Sequence, residues 1–132
     1  MTWEEFEEEI KNLSSKINYT PDVIVGIVRG GIIPARLLSK NLNVKNMYAI
    51  IVKKVNDERK ITAEISEDIT SKQVLLVEDM LETGRSLIAA KKYLEQKGAI
   101  VKTVCLYTMP HSEIKPDFYL KEVEEEINFP WE

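Results

Sequence analysis

Apolar residues recur every three or four positions near the start of the chain, at Trp3, Phe6, Ile10, Leu13 and Ile17. That spacing places them on one stripe of a helix over residues 2–18, and Thr2 and Glu5 stand three apart as in a capping box. The pattern then changes period. Val23 to Val28 is an unbroken β-branched run, Val-Ile-Val-Gly-Ile-Val, closed by Arg29-Gly30-Gly31. Pro34 then opens a helix reaching about Asn41, giving strand, tight loop and helix in succession.

Met47 to Val55 reads as a second strand, and the polar stretch from Asn56 to Gln73 carries only the weaker pattern Ile61, Ala63, Ile65 of a mobile hairpin or loop. Val74 to Val77 is again wholly apolar. After it come Glu78-Asp79, a loop to Ser86, and a helix with Leu87, Ala90 and Leu94 inward and Gly98 just past its end. Ile100 to Thr108 returns as a strand, and 110–132 reads as a small added flap with Asp117 to Leu120 as its one strand candidate. Strand and helix alternate throughout. The predicted class is α/β, a mainly parallel sheet flanked by helices, with ligands at the carboxyl ends of the strands.

Composition narrows the function. At 132 residues the chain can bury one core, and a single domain is expected. Its formal net charge is -4, with acids concentrated at Glu4 to Glu9 and Glu122 to Glu126, a surface that repels nucleic acid. No apolar run approaches the roughly 20 residues of a membrane helix. The lone Cys105 permits no intrachain disulfide, and a cytoplasmic protein is the expectation. An acidic chain that binds a phosphorylated small molecule must do so with local donors, so loops and helix starts are where to look.

One segment has that architecture. Val74-Leu-Leu-Val-Glu-Asp-Met-Leu-Glu-Thr-Gly-Arg-Ser86 joins a buried strand to a helix through small, donor-rich residues. Unpaired backbone amides and the positive end of the helix dipole let Glu82-Thr83-Gly84-Arg85-Ser86 wrap a phosphate. Glu78 and Asp79 follow four apolar residues, and two acids at a strand end are costly to bury without partners, so they should face a sugar diol or Mg²⁺. Arg29 and Gly30 end the first strand at the same crevice, where a guanidinium fork and a close-approaching backbone suit a second phosphate. Neither the Gly-Lys-Ser phosphate loop nor the dinucleotide-binding glycine turn matches this spacing.

The thirteen residues VLLVEDMLETGRS resemble the phosphoribosyl pyrophosphate motif of type I phosphoribosyltransferases. VRGG resembles that family's pyrophosphate loop, and Phe129-Pro130-Trp131-Glu132 resembles the carboxyl terminus of its xanthine-guanine and archaeal purine branch. The resemblance implies the type I fold with a carboxyl-terminal hood, Mg²⁺ dependence, homodimers, and transfer of ribose 5-phosphate to a purine or purine-like base. It assigns Glu78 and Asp79 to the ribose hydroxyls and the metal, Thr83 to Ser86 to the 5-phosphate, and Arg29 and Gly30 to the pyrophosphate. Glu82 takes the place of the acid that handles the proton on the base, so Glu82 and Arg29 are the catalytic candidates.

Base contacts map onto Met109, Glu126 and Ile127, and two of these depart from the branch. Met109 stands where the lysine for the 6-oxo group is usual, and a thioether donates no hydrogen bond; Glu126 stands where an aromatic ring stacks on the base. The acceptor therefore stays open on the sequence, with a non-catalytic sensor of phosphoribosyl pyrophosphate or a nucleotide as the alternative. Tyr107, Phe118 and Phe129 are candidates for a displaced stacking surface or for core. His111 has no metal-binding companion and reads as surface, Cys105 as a buried thiol, Trp131 as a tail anchor, and Lys53 and Lys54 as surface lysines within possible reach of pyrophosphate.

Overall fold

The computed structural model describes residues 1–132, in the order α1 (Trp3–Lys16), β1 (Val23–Val28), α2 (Ile32–Asn41), β2 (Met47–Val55), β3 (Glu58–Ala63), β4 (Gln73–Val77), β5 (Met80–Leu81), α3 (Arg85–Gln96), β6 (Ile100–Val104), β7 (Tyr107–Thr108) and β8 (Lys121–Glu122). Five strands form the main sheet in the order β3-β2-β1-β4-β6. Three of the four pairings fit the expected class: β1 lies parallel to β2 and β4, and β4 parallel to β6, while β3 turns back antiparallel on β2.

Period-two alternation sorts the side chains to two faces. Val23, Val25, Ile27, Val74 and Leu76 point to one side, where Leu87, Ala90 and Leu94 of α3 pack. Ile24, Leu75 and Val77 point to the other, against Phe6, Ile10 and Leu13 of α1 and Ala35 and Leu38 of α2. The strands are covered on both faces, which is why they read as continuous apolar runs.

The amino-terminal capping box is present in full: Glu5 N–H donates to Thr2 Oγ1 at 3.1 Å and Thr2 N–H donates to Glu5 Oε1 at 3.0 Å. Trp3 departs from the predicted stripe. It is 52% exposed, meeting Phe6 edgewise and Trp131 at a tilt. α2 begins at Ile32, two residues before Pro34, so the proline sits inside the first turn, where its missing N–H costs nothing.

Part of the polar 56–73 stretch is a regular hairpin. Asn56 (φ 50°) and Asp57 (φ 64°) form its two-residue turn between Val55 and Glu58, in the left-handed region these residue types tolerate. Beyond it, Ile65 and Ile69 are buried in the α3-side core.

Ile100–Thr108 is two strands, since the chain leaves the main sheet after Val104 and β7 joins a second, all-parallel sheet, β5-β7-β8. Asp117–Leu120 is not a strand: only Phe118 bridges to Val104, and the hood's strand begins one residue later. There Asp117 is used locally, accepting from Thr103 N–H at 2.7 Å. An aromatic stack closes the tail, with Trp131 face to face on Phe129 at 4.7 Å and edge-on to Phe6 at 4.9 Å.

Candidate active site

β1 and β4 are neighbours, with Gly26 paired to Val77, so the loops that follow them emerge side by side. The main chain there is packed very closely. A Cβ on Gly31 would lie 2.3 Å from Val77 O, and one on Gly30 would lie 2.3 Å from Asp79 Oδ2. Only glycine leaves room for the Arg29–Gly31 loop to rest against the acid pair. The Val28–Arg29 peptide is cis. Arg29, Gly30, Glu78, Asp79 and Ser86 border a cavity of about 510 Å³ that Trp131 and Glu132 close from the tail.

Glu78 and Asp79 hold one another in place: Asp79 N–H donates to Glu78 Oε1 at 3.1 Å, and Met80 N–H donates to Asp79 Oδ1 at 2.7 Å. Burial raises the pKa of both carboxyls above the ordinary range; the Asp79 charge adds to the effect on Glu78, and Glu132 adds to that on Asp79. Neither acid has a cationic side chain in salt-bridge range, the ion pairs of the chain being Lys54–Asp57 and Arg85–Glu113. The pair thus lacks a counter-charge within the protein.

Beyond β5 the chain turns into α3 with its first amides uncapped, in the segment expected to wrap a phosphate. Gly84, at φ 80°, is the N-cap of α3 and offers no side-chain cap, and the amides of Ser86 and Leu87 have no partner within the chain. Arg85 N–H donates to Thr83 Oγ1 at 3.3 Å. Gly84 is also required sterically, since a Cβ there would lie 2.6 Å from Ile114 and 2.7 Å from Ser112 Oγ. A cavity of about 210 Å³ bordered by Glu78, Glu82 and Thr83–Ser86 lies over this helix start. The Arg85 side chain is tied sideways, its Nε donating to Glu113 Oε2 at 2.6 Å, so the cradle's charge does not rest on it alone.

Arg59 supplies a cation that the sequence reading did not identify. It borders the same cradle from β3, and its Nη1 is buried with no hydrogen-bond partner. A signal was available: along β3 the half-buried positions are Arg59, Ile61 and Ala63, so Arg59 is in phase with the inward residues.

A third cavity, also about 210 Å³, is bordered by Asp79, Glu82, Glu126, Ile127, Phe129 and Glu132. Asp79 and Glu82 each border two of the three cavities, which therefore meet along Glu78–Glu82. Met109 is not on the third. It is buried, donates its N–H to Leu81 O, and borders a separate recess with Thr108 and Tyr119. Phe129 does reach the cavity, stacked on Trp131, whereas Tyr107 and Phe118 are taken up by stacking on Phe129 and Tyr19.

Lys53 is exposed and Lys54 pairs with Asp57, both away from these cavities. His111 is exposed and Cys105 buried, as expected, and no group of three acid, histidine or cysteine side chains is placed to hold a metal by itself.

Comparison with known proteins gives the chain's family and fold relatives. The family model for the phosphoribosyl transferase domain matches residues 2–132. The crystal structure of a purine phosphoribosyltransferase from Pyrococcus horikoshii superposes with a TM-score of 0.94 at 36% identity, over 100% of this chain and 92% of that one. The xanthine-guanine-hypoxanthine phosphoribosyltransferase of Helicobacter pylori gives 0.85 at 25% identity, over 98% and 88%. Among curated sequences, the xanthine-guanine phosphoribosyltransferase of Chromohalobacter salexigens is 27% identical over 137 residues, covering 100% of this chain and 82% of that protein.

Proposed function

This chain belongs to the phosphoribosyl transferase domain family, and on that footing we propose that it transfers the ribose 5-phosphate of phosphoribosyl pyrophosphate to a purine base and releases pyrophosphate. The observation that carries the reading is the meeting of three cavities along Glu78–Glu82: one beside Arg29 and Gly30, one over the start of α3, one toward Glu126 and Ile127. A substrate with a pyrophosphate, a sugar phosphate and an incoming base has three parts to place, and this segment borders all three places.

The residues divide the work accordingly. The free amides of Ser86 and Leu87, with the Thr83 and Ser86 hydroxyls, bind the 5-phosphate at the positive end of α3, and Arg59 adds a charge-assisted donor. Glu78 and Asp79 accept from the ribose hydroxyls. Arg29 and the Gly30 backbone bind the pyrophosphate and stabilise the charge that gathers on it as the C1–oxygen bond breaks. Glu82, bordering both the phosphate and the base cavities, accepts the proton that the base gives up as its nitrogen bonds to C1.

Mg²⁺ suits the acid pair, which has no counter-charge of its own and sits where substrate oxygens would complete the shell. Asp79 and Glu78 would hold it, and when bound it neutralises the leaving pyrophosphate. With two carboxylates and no third ligand from the chain, the metal is expected to arrive with the substrate.

Pyrophosphate release from phosphoribosyl pyrophosphate, Mg²⁺ and each of a panel of purines tests the reading. Release that depends on a purine supports it. Tight binding of phosphoribosyl pyrophosphate with no release for any base would overturn it.

A further inference from the structure

The third cavity has an uneven chemical lining. Asp79, Glu82, Glu126 and Glu132 bring four carboxylates to it, Met80, Ile127 and Phe129 bring apolar walls, and no Lys, Arg or His borders it. A carboxylate only accepts hydrogen bonds. The cavity's side chains can therefore satisfy N–H groups on a ligand but not a carbonyl, which only backbone amides could pair.

Position separates the four acids. Asp79 and Glu132 also border the pyrophosphate-side cavity, and Glu82 also borders the 5-phosphate cradle. Glu126, Ile127 and Phe129 border the third cavity without bordering either of the others, so they form its distal wall, opposite the reacting carbon. A purine joined to the sugar through its five-membered ring presents its six-membered ring, and the substituents at C2 and C6, to that wall. Phe129 cannot rotate out to cover a base, being 3% exposed and held between Tyr107 at 6.0 Å and Trp131 at 4.7 Å. The polar side chain on that wall free to read the ring edge is the exposed carboxylate of Glu126.

From this we infer that the acceptor is a purine bearing an exocyclic amino group, and that Glu126 is the specificity-determining residue that accepts from it. The inference rests on the transfer reading above and names its substrate class. An amino group gives Glu126 a charge-assisted bond. A carbonyl at the same place meets a carboxylate, acceptor against acceptor, and one such pairing discriminates by roughly 10- to 100-fold.

Two matched pairs of bases isolate the group. Adenine and hypoxanthine differ in the substituent at C6, amino against carbonyl, and guanine and xanthine differ likewise at C2. The measurements are kcat/KM for the four bases with saturating phosphoribosyl pyrophosphate and Mg²⁺, and equilibrium binding of each base, which needs no turnover, to the protein loaded with phosphoribosyl pyrophosphate. The amino member is expected to lead by at least about 10-fold in one or both pairs. The leading pair identifies the ring position that faces Glu126. Glu126→Gln should shrink the lead, and Glu126→Lys, which puts a donor in place of the acceptor, should reverse it. Equal or better use of the carbonyl member in both pairs overturns the inference, as does a lead that neither substitution changes. Absence of turnover with all four bases strikes the transfer reading, and the binding ratios then still decide whether Glu126 selects the amino group.

Discussion

Gly30 lies against the carboxylate of Asp79 so closely that a methyl group on residue 30 would come within 2.3 Å of Oδ2 and 2.6 Å of Cγ. The two come from adjacent strand ends, and their contact fixes the Arg29–Gly31 loop relative to the acid pair. Gly30→Ala must push one of them away. A displacement of about 1 Å at reacting groups costs on the order of 100-fold, so kcat/KM for phosphoribosyl pyrophosphate should fall by about that factor. Because the loop is at the surface of the crevice, the melting temperature should change little. An active Gly30→Ala enzyme would show that the loop does not work in this position.

Most of the fold was legible because burial is two-sided. Strands covered on both faces leave wholly apolar runs, as at Val23–Val28 and Val74–Val77, and these marked the crevice and the residues around it. What escaped was set by contacts between distant segments. Met80–Leu81 is too short to show a period and is a strand only because Tyr107–Thr108 lies beside it. Trp131 and Glu132 reach the cavity beside Arg29 and Gly30 by way of the aromatic stack on Phe6, more than a hundred residues away in sequence. Arg59 was hidden by the polar surroundings of its hairpin.

Arg59 tests that last point. Its buried Nη1 has no partner in the chain, so a bound 5-phosphate would supply one. Hydrogen bonds to charged groups contribute about 1.5–3 kcal/mol, and Arg59→Met should raise KM for phosphoribosyl pyrophosphate by roughly 10- to 100-fold. The base KM should stay within a few-fold, since Arg59 does not border the third cavity. An unchanged KM for phosphoribosyl pyrophosphate would remove Arg59 from the cradle.

Glu82 borders the cavity over α3 and the third cavity alike, the place from which the proposed reaction has it take up the proton of the base. Glu82→Gln keeps the size and removes the base, so kcat should drop by about 100- to 10,000-fold while binding of phosphoribosyl pyrophosphate is preserved. Loss of binding in step with kcat would mean that Glu82 shapes the phosphate loop and leaves the proton to another group.

At the amino terminus, the reciprocal bonds of Thr2 and Glu5 hold the first turn of α1 in front of Phe6, on which Trp131 rests. Thr2→Ala removes one of them and should lower stability by about 1 kcal/mol in a denaturant titration. Activity should be unchanged below the transition, because Thr2 borders none of the three cavities. A stability loss below the error of the titration would mean that tertiary packing alone holds this turn.

Cys105 gives a probe of the core behind the acid pair. Its thiol is fully buried among apolar neighbours, and burial pushes its pKa far above that of an ordinary cysteine, with the charges of Glu78 and Asp79 pushing the same way. Only the thiolate reacts with alkylating reagents, so an exposed cysteine labels faster as pH rises toward about 8.5. A raised pKa keeps Cys105 protonated across that window. In the native protein, labelling should therefore be negligible at pH 7 and should not accelerate on going to pH 9. It should follow global unfolding in denaturant, where the thiol regains its ordinary pKa and access together. Rapid labelling of the native protein at pH 7 would mean that the sheet opens locally at β6–β7, beneath Glu78 and Asp79. The acid pair would then lack the rigid floor on which its position depends.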